Sequence, residues 1–168
     1  SSLKLLSGGE PISRSLSSKI INSLGGYWNM YGPTETTIWS TIKWVTSADE
    51  SNIIGKPIDN TKVFILDSNL NPIPIGVIGD IYIGGDGLAM GYKDNLELTQ
   101  ERFIQSPFNN EEYLYCTGDL GKWNSNGEIN FIGRKDYQVK FRGYRIELGE
   151  IEYYITKFSE EISKAIVI

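Results

Sequence analysis

Apolar residues recur along this chain with two different periods, and the points where the period changes divide it into parts. Near the start, Ile12, Leu16, Ile20, Ile21 and Leu24 fall on one helical face behind Pro11, and Gly25-Gly26 supplies a stop. That helix lies between the apolar run Leu3-Lys4-Leu5-Leu6 and a second run around Tyr27 to Asn29, so the opening predicts strand, helix, strand. In such units the loops at the carboxyl ends of the strands carry the chemistry, which places Ser7-Gly8-Gly9 and Tyr31-Gly32-Pro33 at one rim.

From Thr41 to Ile132 the period shortens to that of strands. Val63-Phe64-Ile65-Leu66 and Asp80-Ile81-Tyr82-Ile83 are separated by turn residues, which predicts a small barrel or sheet. Leu96 to Phe103 reads as a short helix within it, and Asn126-Gly127 between Trp123 and Ile129-Asn130-Phe131-Ile132 reads as a hairpin. Beyond Arg134, Gln138 to Phe141 alternates as a strand. Glu147 to Phe158 sets Leu148, Ile151, Ile155 and Phe158 on one helix face, and Ile162 to Ile168 reads as a strand. A second, smaller unit is expected to begin near Lys135-Asp136. The opening strand pattern and the apolar run at Ala165-Ile166-Val167-Ile168 lead us to expect a longer parent protein.

Composition narrows the chemistry. The chain has 168 residues, 40% of them hydrophobic, enough for a core. The net charge is −5 and the 16 Lys and Arg residues are scattered, which argues against nucleic acid or anionic lipid as partner. With no histidine and one cysteine, Cys116, the usual zinc sites, histidine-based triads and an internal disulfide are excluded. Acid–base work would fall to carboxylate, lysine or tyrosine. No stretch has the length of a membrane helix or the pattern of a signal peptide, so a cytoplasmic setting is expected.

Three strings carry candidate chemistry. In Asn29-Met30-Tyr31-Gly32-Pro33-Thr34-Glu35-Thr36-Thr37, a tight loop after a strand presents a hydroxyl, a carboxylate and an aromatic ring together. A carboxylate beside hydroxyls suits Mg2+ and phosphate, and a ring suits a nucleobase, but the same string alone also fits an ordinary turn with a solvated Glu. Thr117-Gly118-Asp119 sets a carboxylate after a glycine at a strand end, where it could take both hydroxyls of a ribose or simply form an Asx turn. Arg134 to Arg145 holds five cations in twelve residues, which is either a functional segment or a solvated face.

Together, in this order and approximate spacing, the strings resemble the adenylation domains of nonribosomal peptide synthetases. Gly79-Asp80-Ile81-Tyr82-Ile83-Gly84-Gly85-Asp86-Gly87-Leu88-Ala89-Met90-Gly91-Tyr92 resembles that family's G-E-L-x-I-x-G-x-G-L-A-R-G-Y, and Leu5-Leu6-Ser7-Gly8-Gly9-Glu10 its preceding strand and loop. Met90, Asp80 and Cys116 depart from it at flanking positions. The resemblance implies an α/β (mixed α+β) fold: residues 1–135 as the C-terminal part of the large adenylate-forming core with a distorted β-barrel, and 136–168 as the start of a small α+β lid.

It also implies a reaction: an amino acid is joined to the α-phosphate of ATP with Mg2+, then passed to the phosphopantetheine thiol of a carrier domain in a synthetase that also holds a condensation domain. Glu35 would hold Mg2+, Thr34 would contact phosphate, Tyr31 would stack on adenine, Asn29 would hydrogen-bond the adenine amine, and Gly32 would belong to the same nucleotide site. Asp119 would bind the ribose, with Arg134 assisting and Phe131 covering the base. Leu5, Ser7, Met30, Ile38 and Trp39 would line the substrate pocket, where the bulk of Trp39 suits a small residue such as cysteine. Asp136 would be the lid hinge, and Lys140 and Gly143 would belong to the thiolation loop. The family's phosphate loop and lid lysine would lie outside the chain, so the segment by itself is expected to adenylate poorly or not at all. Two alternatives remain at this point: an acyl- or aryl-CoA ligase of the same superfamily, and a non-catalytic β-rich binding module.

Overall fold

The computed structural model describes residues 3–135, 138–141, 144–159 and 162–167. It divides into two units, Ser1–Gly133 and Arg134–Ile168.

The first unit opens with β1 (Leu6–Gly8), α1 (Arg14–Leu24) and β2 (Tyr27–Tyr31), with β1 and β2 parallel. The helix starts where the Ser13 hydroxyl accepts a hydrogen bond from the Leu16 amide, and stops where Gly25 turns left-handed and returns its amide to the Ile21 carbonyl. β1 begins later than the apolar run at Leu3 suggests, because its ladder with β2 first forms at Leu6 opposite Trp28. The residue that α1 buries is Ser17, whose hydroxyl meets the buried Tyr27 hydroxyl at 3.1 Å. This pair locks the helix onto β2 at the base of the strand that carries the first motif.

β2 continues antiparallel into β3 (Thr41–Val45) and β4 (Ile53–Pro57). There follow β5 (Thr61–Leu66), β6 (Gly79–Gly85), α2 (Leu96–Arg102), β7 (Phe103–Gln105), β8 (Tyr113–Trp123) and β9 (Ile129–Arg134). The nine strands form one sheet in the order β1-β2-β3-β4-β9-β8-β6-β5, with β7 also pairing β8. Among the described residues β1 and β5 end the path without pairing each other, so of the small barrel or sheet expected from the sequence the chain forms an open sheet.

β6 is the spine of the β-rich half, buried along nearly its whole length between β5 and β8. Its alternation feeds two clusters: Ile81 and Ile83 join Ile54, Ile65 and Ile129, while Tyr82 joins Leu66 and Leu114. Tyr31 and Phe131 pack against the first cluster. The turn between β8 and β9 is organised by Asn124, whose side-chain oxygen accepts from the amides of Asn126 and Glu128, while Gly127 takes a positive φ. Glu128 then reaches the Lys43 ammonium at 2.7 Å, with Glu50 at 3.3 Å. The bond to Glu128 raises the lysine above its usual 10.5 against the opposing cost of burial, and Glu50 adds to it.

The second unit pairs β10 (Gln138–Phe141) with β11 (Tyr144–Glu147), antiparallel, followed by α3 (Leu148–Phe158). The strand expected at Ile162 to Ile168 is not formed over residues 162–167. A strand needs a ladder, and among the described residues this segment has none: the Ile162 amide turns back to the Ser159 carbonyl and the Val167 amide donates to the Glu152 carboxylate at 3.0 Å. No described helix is long and apolar enough to cross a membrane.

Candidate active site

The loop after β2 is tied at its neck. The Ser40 amide donates to the Tyr31 carbonyl at 2.8 Å, and a Cβ on Gly32 would lie 2.6 Å from the Ile38 carbonyl oxygen, so glycine is required there. Pro33 leads into a 3₁₀ turn at Thr34–Thr36, whose Thr36 hydroxyl meets that of Ser40 at 2.6 Å. Thr34 is exposed, whereas Glu35 is buried at 9%. Thr37 and Ile38 then take φ of 61° and 71°. Two successive β-branched residues in the left-handed region are strained, and such strain concentrates at functional sites.

A second loop, residues 87–92, clamps this turn. The Thr37 hydroxyl donates to the Gly87 carbonyl at 2.7 Å, the Ala89 amide to the Glu35 carbonyl at 2.8 Å, and the Tyr92 hydroxyl to the Glu35 carboxylate at 2.7 Å. Burial, followed by the bonds to Tyr115 and Glu35, pushes the Tyr92 hydroxyl far above its ordinary range, so it stays protonated and donating.

Asp119 comes to the same region by a bulge in the middle of β8, not at a strand end as its sequence suggests. Asp80 on β6 faces Leu120 and Tyr82 faces Cys116, so Thr117, Gly118 and Asp119 stand opposite Ile81 alone. Gly118 takes φ +74°, the Thr117 hydroxyl donates to the Ile81 carbonyl at 2.8 Å, and the Asp119 amide donates to the Thr117 hydroxyl at 3.0 Å. The bulge thereby aims the carboxylate at β2, where it accepts the Tyr31 hydroxyl at 2.5 Å. The Tyr31 ring lies 6.0 Å from that of Phe131 on β9.

Tyr31, Asp119 and Phe131 therefore meet in space, brought together from β2, β8 and β9. Asn29 is buried, with its amide nitrogen donated to the Ile53 carbonyl at 2.9 Å. Ser7 stands opposite Asn29 and Gly8 opposite Met30 in the β1–β2 register. Trp39 lies over Gly8 so closely that a Cβ there would come within 2.3 Å of the indole. Leu5, Ser7 and Met30 are half-buried, while Ile38 is exposed. Arg134, half-buried, closes β9 and opens the second unit. Lys140 lies in β10, whereas Asp136 and Gly143 lie outside the described residues.

Sequence reasoning assigned no role to Tyr92, although the string ending in it was matched. A groove of about 890 Å³ opens on the other side of the 87–92 loop, lined by Leu88, Ala89 and Met90 of that loop and by Lys62, Glu112 and Tyr113 among others. Its one cation, Lys62, is paired to Glu112 at 2.6 Å, and none of the three strings lies in its lining, so the motif cluster and not this groove is the chemical candidate. Among the described residues no group of three or more acidic, cysteine or histidine side chains could hold a metal ion. The single carboxylate of Glu35 fits Mg2+ held mainly by a substrate's phosphates.

Residues 1–93 match the family of AMP-binding enzymes. The chain is 43% identical to tyrocidine synthase 3 of Brevibacillus parabrevis, covering 98% of this chain and 3% of that protein. It superposes with a TM-score of 0.83 and 33% identity on PA1221, an NRPS protein containing adenylation and PCP domains, covering 92% of this chain and 32% of that one. A four-domain nonribosomal peptide synthetase bound to AMP and glycine gives a TM-score of 0.75 and 42% identity, covering 92% of this chain and 12% of that one. The chain thus spans only a small part of the proteins it resembles. On the family match and these likenesses together, it belongs to the AMP-binding enzymes, among the adenylation domains of nonribosomal peptide synthetases.

Proposed function

We propose that this chain forms part of an enzyme that activates an amino acid with ATP as an aminoacyl-adenylate and loads it onto the phosphopantetheine thiol of a carrier domain, with a condensation domain in the same cytoplasmic synthetase. The observation that carries the reading is the meeting of Tyr31, Asp119 and Phe131: a carboxylate able to accept two ribose hydroxyls lies beside two rings able to flank a base. Tyr31 is held through its hydroxyl, so its ring is set before a nucleotide arrives, which lowers the cost of binding.

In this reading Thr34 contacts phosphate and Glu35 holds Mg2+, which when bound would offset phosphate charge as pyrophosphate leaves. Gly32 gives the nucleotide close backbone approach, Asn29 edges the adenine, and Arg134 assists Asp119. The chemistry is positioning and charge neutralisation, for which histidine is not needed. Residues 1–135 serve as core and 136–168 as the start of a lid that turns about Asp136, bringing Lys140 and Gly143 toward the thiol. Leu5, Ser7, Met30, Ile38 and Trp39 line the amino-acid pocket. The indole over Gly8 takes up volume there and the Ser7 hydroxyl offers one polar contact, which favours a small substrate, cysteine first.

The test is amino-acid-dependent exchange of pyrophosphate into ATP by the complete module that carries this chain, against a panel headed by cysteine, glycine, alanine and serine. Exchange is expected with one small amino acid above the rest. Exchange with aryl or fatty acids alone would overturn the reading.

A further inference from the structure

In the function proposed above Glu35 meets magnesium and phosphate, and its carboxylate accepts a hydrogen bond from a second loop, at 2.7 Å from the Tyr92 hydroxyl. We propose that Tyr92, on a loop 57 residues away in sequence, is a positioning residue that sets the orientation of the Glu35 carboxylate for the metal–nucleotide complex. This rests on the function proposed above and extends it to a residue that reading does not use.

Three observations carry it. The Tyr92 hydroxyl donates to Glu35 Oε1 at 2.7 Å and lies 3.2 Å from the hydroxyl of Tyr115, which is fully buried on β8. The Tyr92 ring is wedged edge-on against Phe103 at 5.6 Å, and Phe103 in turn packs on Tyr115 at 5.1 Å. The backbone at Tyr92 is fixed as well: its amide donates to the Thr99 hydroxyl at 2.9 Å, and Gly91, at φ +137°, passes so close to Thr99 that a Cβ would lie 2.4 Å from its methyl. Tyr92 is thus anchored independently of Glu35, as a device that orients another group must be.

The chemistry follows from what magnesium demands. It tolerates little departure from octahedral geometry, so a carboxylate that rotates freely about its last torsion binds it less well than one held in one plane. A neutral donor on one oxygen fixes that plane without neutralising the charge, which a cationic partner would do. Groups that orient a metal's ligands typically change metal affinity by about 10–100-fold.

The experiment uses the complete module with ATP present and amino acid omitted, and reads metal binding rather than turnover: Mn2+ is titrated and the bound fraction followed by electron paramagnetic resonance. Tyr92→Phe keeps the ring against Phe103 and removes the hydroxyl. It is expected to raise the Mn2+ midpoint about tenfold. In a Glu35→Gln background the same change is expected to add nothing, which a general packing role would not produce. A midpoint within twofold of the parent, or an equal further loss on top of Glu35→Gln, would overturn the inference. Should Tyr92→Phe fail to fold, Tyr115→Phe removes the neighbouring hydroxyl alone and is expected to raise the midpoint by about threefold, with no change overturning it. A parent module that shows no ATP-dependent Mn2+ binding would sink the proposed function itself, whereas normal parent binding with an unaffected Tyr92→Phe would sink only this inference.

Discussion

Replacing Asp119 by alanine in the complete module is expected to raise the ATP concentration needed for half-maximal pyrophosphate exchange by about 100-fold, with a much smaller change in the corresponding value for the amino acid. A hydrogen bond to a charged acceptor contributes about 1.5–3 kcal/mol, and loss of a bidentate contact to two ribose hydroxyls removes two of them, part of which is recovered by water. About 3 kcal/mol corresponds to two powers of ten. A second effect acts in the same direction: the Tyr31 hydroxyl loses its 2.5 Å acceptor, so the ring is no longer fixed beside Phe131. Tyr31→Phe separates the two, since it leaves the carboxylate in place and should cost well under the full effect. An Asp119→Ala module with an unchanged ATP requirement would remove Asp119 from the ribose site.

The largest effect on stability is expected at Gly55. It sits at the register shift where Ile53 of β4 faces Asn130 and Gly55 faces Ile129, and its φ is +83°. A Cβ there would lie 2.0 Å from the carbonyl oxygen of Ile42, a backbone atom in the β3 strand that cannot rotate away. Gly55→Ala therefore combines left-handed strain with forced displacement of β3 from β4. Together these should cost roughly 3 kcal/mol or more, lowering the melting temperature by about 10 °C. Gly127, at φ +69° with open space around it, is the control: Gly127→Ala carries the conformational strain without the collision and should cost about 1 kcal/mol. Equal losses at the two positions would show that the close approach at Gly55 is relieved at little cost. The position matters for the site because β4 joins the strand that carries Tyr31, through β3, to the strand that carries Phe131.

How much of this was legible in the sequence depends on whether the deciding partner lay nearby. The stop at Gly25, the short helix after Asn95 and the turn at Asn124 to Glu128 are local events, each fixed by glycine conformation or by a side chain bonding its own backbone, and residue type reveals them. The bulge at Thr117–Asp119 is different in kind. It exists only relative to Ile81 on another strand, so the string reads as a strand end until the register of β6 against β8 is known. Tyr92 was hidden for the same reason, since nothing near it in sequence says that its hydroxyl meets Glu35. Asn29 has a buried amide tie to Ile53, a contact its motif does not reveal. The strand expected at the end of the chain shows the converse limit: an apolar run predicts a strand only where a neighbouring strand offers a ladder.

Whether Tyr31, Asp119 and Phe131 form one nucleotide site is tested most directly by photolabelling the complete module with 8-azido-ATP and mapping the modified peptides. The azide sits on the base, so it reports what flanks the adenine. Labelling is expected in the peptides that contain Tyr31 and Phe131, suppressed by excess ATP and lost in Asp119→Ala. ATP-protected labelling confined to the groove between Lys62 and Tyr113, with Tyr31 and Phe131 unmodified, would contradict it.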